Sequence, residues 1–476
     1  MASSTVVGDD GPAQVKVLFT TTETDALLQL PEAKRMLIVP ADTKRYGLSR
    51  ILNSESMLAT DQPIPFDFLV DGAYLRTTLE DYLKESGTSS ETTVILQYVR
   101  SLVPPVFEAS FQHDDWVSSV DVSEKRLLSG SYDGLVRLWN ASGRVVATSV
   151  CGALGHTAAV KSARFVTATH IVSAGLDRTV RIWKYSEGED EVMDDEAATA
   201  VLKPTLELYG HKGSVDSLAT DATSKRVLSA SVDGAVGLWS ISKSSAPAAP
   251  ESLLPGAITV PNKKRKLTSE VPRRGALALV QAHKSAATAA VFDPRDRTVA
   301  YSAGQDHNLC TIDLTTGQIV LTVATSHSLL SLAAARGGSV LAAGNAARNI
   351  VLVDPRASVA TTAVMTLRGH VNKVAALASA PDNDYSLVSA SHDGTCRIWD
   401  LRSSRKAVDG DSSEGAMSSI CEAVYVIDRD GREGKRPLAG EGVKVFDVKW
   451  STSWGIVSGG EDKRVQINRG RNLMQS

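Results

Sequence analysis

The strongest constraint on the fold is a 14-residue pattern that recurs six times along the 476-residue chain. Each copy reads as a short apolar strand, a stretch of small residues, an aspartate turn and an alternating strand. The copies are LLSGSYDGLVRLWN, IVSAGLDRTVRIWK, VLSASVDGAVGLWS, AYSAGQDHNLCTID, LVSASHDGTCRIWD and IVSGGEDKRVQINR. A seventh copy, VLAAGNAARNIVLVD, is degenerate, with Ala347 in the aspartate position and Val353 in the tryptophan position. A unit this short cannot bury its own face, so the copies must stack on one another.

Four side chains keep a fixed register in four of the copies. An aspartate lies six residues before each tryptophan, a serine ten before it and a histidine 26 to 29 before it. The four sets are His113, Ser129, Asp133 and Trp139; His156, Ser173, Asp177 and Trp183; His211, Ser229, Asp233 and Trp239; and His370, Ser389, Asp393 and Trp399. The fourth copy has His283, Ser302 and Asp306 with Ile312 in place of tryptophan, and the last has Ser458 and Asp462 with Asn468.

This register resembles the WD-repeat family over about residues 106 to 470. The resemblance implies a seven-bladed β-propeller with one four-stranded sheet per blade, in which the Ser-His-Asp-Trp sets form buried hydrogen-bond networks. A hydrolase triad is the competing interpretation, but it requires one exposed nucleophile rather than the same set in four blades. The segment LVPPVFEASF, which precedes the first copy, is predicted to supply the missing outer strand of the last blade and so close the ring.

Residues 12 to 100 lack the repeat and read as ββαββαβ, the order of a ubiquitin-like β-grasp, followed by a linker at 101 to 105. The strands are QVKVLFTT, an unplaced one within LLQLPEAKRMLIVP, PFDFLVDG and TTVILQYV. One helix lies within ADTKRYGLSRILNSE, capped by Asp42 or Thr43, and the other is TLEDYLKE, with Thr77 and Glu80 as a capping box. The buried positions expected on the first helix are Tyr46, Leu48, Ile51 and Leu52. The fold class is therefore mainly β: a propeller preceded by a small α+β domain.

Three long spacings between repeats predict insertions near residues 186–203, 241–278 and 402–440. The first contains EGEDEVMDDE, with seven carboxylates, and is either a solvated loop or a docking segment for a basic partner. The second carries the basic cluster Lys263, Lys264, Arg265 and Lys266. In a Pro- and Ser-rich loop this cluster reads as a nuclear localisation signal, an RNA-contacting patch or a solvated charge run.

Composition narrows the function classes. With 51 basic and 54 acidic residues, for a net charge of −3, the chain is neither a wholly basic nucleic-acid binder nor a wholly acidic disordered protein. The four cysteines lie far apart without a CxxC pair, and no Walker loop or HExxH motif occurs. No apolar stretch approaches 18 residues. We therefore expect no enzymatic activity, no cofactor, no intrinsic metal and no membrane partner.

The combination of the two regions points to one family more specifically than either region does alone. KRYGLSRILN, PFDFLVDGAYLRTTLEDYL and DDWVSSVDV resemble the eukaryotic ribosome biogenesis proteins known as Ytm in fungi and WD-repeat protein twelve in vertebrates. The related Notchless-like family shares both domains but has more blades. The resemblance implies a non-enzymatic assembly factor of the large (60S) subunit that acts in pre-rRNA processing, in the nucleolus and nucleoplasm.

The same resemblance implies partners. They are a block-of-proliferation type WD-repeat protein and a pescadillo type protein, which complete a trimer on pre-60S particles, with rRNA contact left open. The AAA ATPase midasin is expected to grip the ubiquitin-like domain and remove the trimer. Glu91, in Ser89-Ser90-Glu91, matches the family's acid that completes the magnesium shell of midasin. From composition alone Glu91 is a solvated loop acid. The alternatives are a substrate receptor of the ubiquitin system, although no Gly-Gly tail follows Val99, and an RNA-binding propeller.

Overall fold

The fold was analysed in a computed structural model that describes residues 13–23, 25–60, 62–89, 91–186, 200–254, 271–356, 363–406, 419–430 and 443–470. The chain divides into two compact units, one within residues 1–103 together with Arg402–Lys406, the other formed by the rest of the chain from Pro104 onward. Both units are built mainly from strands, and the fold class predicted from the sequence is confirmed. Among the described residues, no helix is long and apolar enough to cross a membrane.

The first unit is a five-stranded sheet with two short helices. Its strands are Gln14–Thr20, Met36–Pro40, Phe66–Val70, Ala73–Tyr74 and Val94–Arg100. Its helices are Arg45–Leu52 and Leu79–Ser86, with single 3-10 turns at Ala26–Leu28 and Glu32–Lys34. In spatial order the sheet runs second, first, fifth, third and fourth strand, and the first and fifth strands are parallel. The strand that the sequence left unplaced is Met36–Pro40, and the predicted ββαββαβ order is present.

Two details of the helices differ from the sequence prediction. The second helix is capped one residue later than expected, since Thr78 accepts a hydrogen bond from the backbone N–H of Asp81 and donates its hydroxyl to the Asp81 carboxylate. The first helix begins after Lys44 without a side-chain cap, so the expected cap is wrong. Leu48 and Leu52 are fully buried, but Tyr46 is 75% exposed, because it lies on the solvent side of this two-turn helix.

The second unit contains seven four-stranded antiparallel sheets, named blades 1 to 7 in chain order, with strands given from innermost to outer. Blade 1 comprises Val117–Val122, Leu127–Ser131, Val136–Trp139 and Val145–Ser149. Blade 2 comprises Val160–Phe165, His170–Gly175, Val180–Lys184 and Ala200–Tyr209. Blade 3 comprises Val215–Asp221, Arg226–Ser231, Ala235–Ser240 and Ala278–Gln281. Blade 4 comprises Ala287–Phe292, Val299–Gly304, Asn308–Asp313 and Gln318–Ala324.

The remaining blades follow the same plan. Blade 5 comprises Leu329–Ala335, Val340–Asn345, Ile350–Val353 and Ala363–Arg368. Blade 6 comprises Val374–Ser379, Ser386–Ser391, Thr395–Asp400 and Ser419–Asp428. Blade 7 comprises Val445–Ser451, Gly455–Gly460, Arg464–Gly470 and Pro105–Gln112. Short 3-10 turns occur at Gly152–Leu154, Glu251–Leu253 and Arg336–Gly338, and Arg273–Gly275 pairs with the outer strand of blade 2.

The ring closes as the sequence predicts. The segment Pro105–Gln112 pairs antiparallel with Arg464–Gly470 and so becomes the outer strand of blade 7. The innermost strands of successive blades contact one another all the way round, including blade 7 with blade 1, where the backbone N–H of Val120 donates to Asp447 at 2.9 Å. Blade 7 therefore has four strands, like the other described blades, and its third strand is not left as an open sheet edge.

The segment 402–440 is not one insertion, because it contains the outer strand of blade 6, Ser419–Asp428. Between the third and outer strands of blades 2, 3 and 6 the chain passes through residues 187–199, 255–270 and 407–418, which lie outside the described residues. The acidic stretch at 187–196 and the basic cluster at 263–266 are among them.

Strand direction gives the propeller two distinct faces. Because the four strands of a blade are antiparallel, the turn from second to third strand and the loop from outer strand to the next blade lie at the same end. We call this end, which carries the aspartate turns and the histidine loops, the turn face. The hairpins between innermost and second strands lie at the other end, which we call the hairpin face.

Candidate functional site

The Ser-His-Asp-Trp residues meet in blades 2, 3 and 6. In blade 2 the indole N–H of Trp183 donates to Ser173 Oγ at 2.7 Å, Ser173 lies 2.7 Å from His156 Nε2, and His156 Nδ1 lies 2.8 Å from Asp177. Since an indole N–H can only donate and a carboxylate can only accept, each side chain donates to the next: Trp183 to Ser173, Ser173 to His156, and His156 to Asp177. Blades 3 and 6 repeat this chain with Trp239, Ser229, His211 and Asp233, and with Trp399, Ser389, His370 and Asp393.

Burial shows what these networks do. Ser173, Ser229 and Ser389 are 0% exposed, so no substrate carbonyl can reach their hydroxyls. Burial alone would raise the pKa of Asp177, but hydrogen bonds from His156 and Thr179 outweigh it and bring the pKa to about 2. The pKa of Asp393 is lowered in the same way by His370 and Thr395. Each aspartate therefore stays ionised and ties the histidine loop to its turn.

In blade 1 the predicted set is only partly assembled. His113 Nε2 contacts Ser129 at 2.8 Å and Trp139 donates to Ser129 at 2.7 Å, but His113 Nδ1 faces the Phe111 carbonyl at 3.3 Å. The Asp133 carboxylate pairs instead with Arg137, whose Nη1 is 2.7 Å away.

Blades 1 and 2 also differ in the cross-strand partner of the arginine on the third strand. Arg181 of blade 2 stands where Arg137 stands in blade 1, opposite the buried Glu207, and pairs with it at 2.9 Å. Arg137 stands opposite Thr148, which offers no charge. Arg137 pairs with Asp133, and burial, followed by the charge of Arg137, lowers the pKa of His113 to about 4.

Blade 7 contains a residue that the sequence analysis missed. Arg429, 5% exposed, takes the place of the histidine: its Nε and Nη2 donate to the Asp462 carboxylate at 2.8 and 2.6 Å, and its Nη1 donates to Ser458 Oγ at 2.7 Å. Arg429 precedes Asp462 by 33 residues, whereas His156 precedes Asp177 by 21 and His370 precedes Asp393 by 23. The signal available in the sequence was the missing histidine itself, which leaves Ser458 and Asp462 in need of a donor.

Blades 4 and 5 depart further from the pattern. In blade 4 His283 contacts Ser302 and Asp306, both at 2.9 Å, while Ile312 fills the tryptophan position and offers no N–H. Blade 5 has no polar set; Ala343 and Val353 occupy the serine and tryptophan positions and join an apolar cluster. The turn of that blade is held instead by the buried Asn345, whose side chain accepts from the Asn349 N–H at 2.9 Å, and by the Ala346 N–H, which donates to the Ser328 carbonyl.

The same aspartates fix the backbone at the turn face. In blades 3 and 4 the residue after the histidine is a lysine, and the N–H of Lys212 donates to Asp233 at 2.8 Å, as that of Lys284 donates to Asp306 at 3.0 Å. The corresponding residues of blades 2 and 6 donate likewise to Asp177 and Asp393. The buried networks thus set which residues the turn face presents to solvent.

Glu91 lies in the first unit, in the loop between the helix Leu79–Ser86 and the strand Val94–Arg100. The helix ends at Gly87, which adopts φ 66°, and the backbone N–H groups of Glu91 and Thr92 bond to Ser89, which shapes the loop into a turn. Glu91 is exposed, and its carboxylate has no hydrogen bond or ion pair to any residue that the structure describes. It is therefore free to offer a hard oxygen ligand to a metal held by another protein.

No intrinsic metal site appears in the described part of the chain, where no three His, Cys, Asp or Glu side chains cluster suitably. The cluster Lys263 to Lys266 lies outside the described residues, so its role stays a prediction from the sequence.

Comparison with known proteins identifies both units. Residues 15–83 match the NLE (NUC135) domain, and residues 106–140, 148–184, 202–240 and 361–400 match the WD domain, G-beta repeat. The chain is 59% identical to Ribosome biogenesis protein YTM1 of Chaetomium globosum, with 98% of each chain covered. It is 57% identical to the Podospora anserina protein of that name over 98% of this chain and 99% of the other, and 48% identical to the Aspergillus terreus protein over the whole of both.

The matches to these relatives cover both units, so they identify the combination of the two domains and not only a widespread repeat. They confirm the resemblance drawn from KRYGLSRILN, PFDFLVDGAYLRTTLEDYL and DDWVSSVDV. The chain belongs to the Ytm1 family of ribosome biogenesis proteins.

Proposed function

We propose that this protein is a non-enzymatic assembly factor of the large ribosomal subunit, acting on pre-60S particles in the nucleolus and nucleoplasm and needed for pre-rRNA processing. The observation that carries the proposal is likeness along the full length to proteins named for ribosome biogenesis. The buried serines support a scaffold rather than a hydrolase. The propeller holds a trimer with a block-of-proliferation type and a pescadillo type protein.

Affinity purification of the tagged full-length chain from cells, followed by proteomics, tests this function. We expect the two trimer partners, large-subunit precursor proteins and midasin. Recovery of ubiquitin-ligase subunits without precursor particles would replace the proposal with the substrate-receptor alternative.

The second part of the proposal concerns removal of the trimer by midasin through the first unit. Glu91 would complete the magnesium shell of the ATPase, since its carboxylate is exposed and unengaged by the described residues. Glu91→Ala removes the ligand and should abolish midasin binding. Glu91→Asp keeps the charge but shortens its reach, and metal–ligand distances tolerate only about 0.2 Å.

A pull-down of full-length protein on the metal-site domain of midasin, with magnesium and with chelator, measures this contact. Glu85→Ala is the matched control, because Glu85 is an exposed acid at the end of the neighbouring helix. Glu91→Ala and Glu91→Asp should leave trimer assembly intact, so mutant particles should keep the trimer and stall. Binding that persists in chelator and in Glu91→Ala would contradict the proposed role of Glu91.

Nuclear entry is proposed to depend on Lys263, Lys264, Arg265 and Lys266. Replacing all four with alanine should shift the protein toward the cytoplasm without changing its unfolding midpoint. The measurement requires cells in which the trimer partners are depleted, because a bound partner could carry the chain into the nucleus. Unchanged import under those conditions would contradict the proposal.

A further inference from the structure

The turn face carries basic side chains at a backbone position that favours glycine. Directly after the turn aspartate, blades 1, 3 and 6 have Gly134, Gly234 and Gly394, with φ of 81° to 82°. Blades 2, 4, 5 and 7 instead place Arg178, His307, Arg348 and Lys463 in the same left-handed conformation, with φ of 62° to 72°. A side chain in this region is strained by about 1 kcal/mol or more, so each basic residue is held there against a local preference.

Two lysines stand beside these turns. Lys212 and Lys284 follow the histidines of blades 3 and 4, and their backbone N–H groups are held by Asp233 and Asp306. The turn face therefore displays Arg178, Lys212, Lys284 and Arg348, spread over four consecutive blades. We call these four residues the basic arc.

The basic arc is not neutralised by the part of the chain that the structure describes. All four side chains are exposed, and none forms an ion pair with a described carboxylate. The aspartates of these blades are occupied inside the networks.

Blades 7 and 1 differ from the arc. There Lys463 donates to the Asp114 carbonyl at 2.9 Å, Lys444 pairs with Glu461, and Asp114 is an exposed acid. On the turn face of blades 2 to 6 exposed cations, Lys373 of blade 6 among them, have no described carboxylate partner, whereas blade 7 has the acid Glu461 and blade 1 the acid Asp114 among its cations.

We propose that the basic arc binds the phosphate backbone of RNA. A chain with net charge −3 does not acquire such a sector through overall basicity, and cations spaced over four blades suit a polymer with regularly repeated negative charge. Arginine's planar fork adds bidentate recognition of phosphate oxygens. This proposal rests on the proposed function, which makes a ribosomal precursor the source of the RNA. The alternative ligand of the basic arc is an acidic polypeptide.

The test uses the full chain and two variants that each remove four positive charges. The arc variant is Arg178→Gly, Lys212→Gln, Lys284→Gln and Arg348→Gly, in which glycine restores the residue that blades 1, 3 and 6 use. The control variant is Lys125→Gln, Lys184→Gln, Lys225→Gly and Arg226→Gln, four exposed or half-exposed cations of the hairpin face, with Lys225 also at positive φ. Both variants keep residues 263–266.

Binding of a labelled single-stranded RNA of mixed sequence is followed by fluorescence anisotropy between about 50 and 200 mM KCl. Each lost phosphate contact reduces the magnitude of the slope of log K against log salt by about 0.7. The four substitutions of the arc variant should therefore reduce the slope by about 3 and weaken the affinity by about 10-fold or more. The control variant should keep the wild-type slope. Equal unfolding midpoints verify that all three proteins are folded.

Three results would overturn the proposal: no RNA binding by the wild type, an unchanged slope in the arc variant, or equal loss in both variants. A polyglutamate peptide serves as the second probe. If the arc variant loses the peptide and keeps RNA, the arc is a site for acidic polypeptides and the RNA proposal is wrong. Absence of the wild-type chain from precursor particles would instead contradict the proposed function, so the two failures are distinguishable.

Discussion

Blades 6 and 7 tie the same loop to the same turn with different chemistry. In blade 6 two residues supply the protons: Trp399 donates to Ser389 at 2.8 Å, and His370 Nδ1 contacts Asp393 at 2.8 Å. Blade 7 has neither residue at the matching positions, and Asn468 in the tryptophan position accepts from Gln466. The Arg429 side chain donates both to Ser458 and to Asp462, and so replaces both side-chain donors.

The comparison shows that the acceptors are fixed by register, whereas the donor is interchangeable. Ser458 and Asp462 sit on strands and turns whose positions follow from the repeat, so the serine and carboxylate point to the same place in both blades. Any buried donor that reaches them satisfies the site. The two solutions differ in charge, because arginine stays protonated whereas His370 is kept neutral, with burial lowering its pKa.

The largest effect is expected from removing the single donor of blade 7. Arg429→Ala removes the guanidinium that donates to the Asp462 carboxylate, the Ser458 hydroxyl and two backbone carbonyls, and breaking one side of a buried ion pair costs about 3–5 kcal/mol. Urea unfolding measures the change. Arg464→Ala, at the start of the third strand of blade 7 and bonded to the exposed Gln112, should cost about 0.5 kcal/mol or less. A loss below ~1 kcal/mol in Arg429→Ala would show that water or another side chain replaces it.

The architecture was predictable because it depends on local periodicity. Alternation of two residues and a fixed turn length place every repeat strand, and the missing partner of Arg464–Gly470 predicts that Pro105–Gln112 closes the ring. The partner within each network was harder to predict, because it depends on which groups compete for one carboxylate. Asp133 pairs with Arg137 in blade 1, whereas in blade 2 the equivalent Arg181 pairs with Glu207 and Asp177 keeps its histidine.

Surface features were the least predictable from the residues themselves. Tyr46 has the spacing of a core residue, but the two-turn helix Arg45–Leu52 buries only Leu48 and Leu52 fully. Nothing in the local sequence distinguishes Glu91 from any other exposed loop acid, and its proposed role came from family resemblance. The basic arc required the backbone conformation of the turns, since the sequence alone does not show that Arg178 and Arg348 share a strained position.

A pH-dependent contribution to stability is expected from the histidine of blade 1, which is not paired with an aspartate. His113 has a pKa of about 4 in the folded protein, against 6.5 ordinarily, because it is buried near Arg137. The unfolded chain therefore binds more protons between these values, so stability falls as the pH drops from 6.5 to 4, by up to about 3 kcal/mol. His113→Gln should remove that part of the pH dependence. Parallel stability curves for wild type and variant, from urea unfolding at each pH, would contradict this.

Removing the turn aspartate should destabilise the protein less than Arg429→Ala does, and the cost should be higher in blade 6 than in blade 1. Asp393→Ala leaves His370, the Val371 N–H and Thr395 without their acceptor, at a cost of about 1–3 kcal/mol. Because the pKa of Asp393 is lowered in the fold, this contribution is present at neutral pH and fades as the pH falls below about 4.

The matched change in blade 1, Asp133→Ala, should cost less, because Arg137 keeps Asp114 as a partner at 2.9 Å. Asp233→Ala, in a blade whose set is complete, should resemble Asp393→Ala. Thermal unfolding of the three variants checks the ranking. Equal destabilisation by Asp133→Ala and Asp393→Ala would mean that the histidine contact contributes nothing to the difference.

The smallest effect isolates the tryptophan hydrogen bond by comparing blades 2 and 4. Ser173→Ala deletes one oxygen at a fully buried site and leaves two groups unpaired, the Trp183 N–H and His156 Nε2. Ser302→Ala leaves only His283 Nε2 unpaired, because Ile312 never donated. Since serine and alanine differ little in volume, the cavity terms nearly cancel, and Ser173→Ala should be the more destabilising by about one hydrogen bond, 0.5–1.5 kcal/mol. Urea unfolding midpoints at neutral pH resolve such a difference when the dependence on denaturant is the same. If Ser302→Ala proved equal or worse, the indole N–H would contribute no net stability, and tryptophan would serve these blades by packing alone.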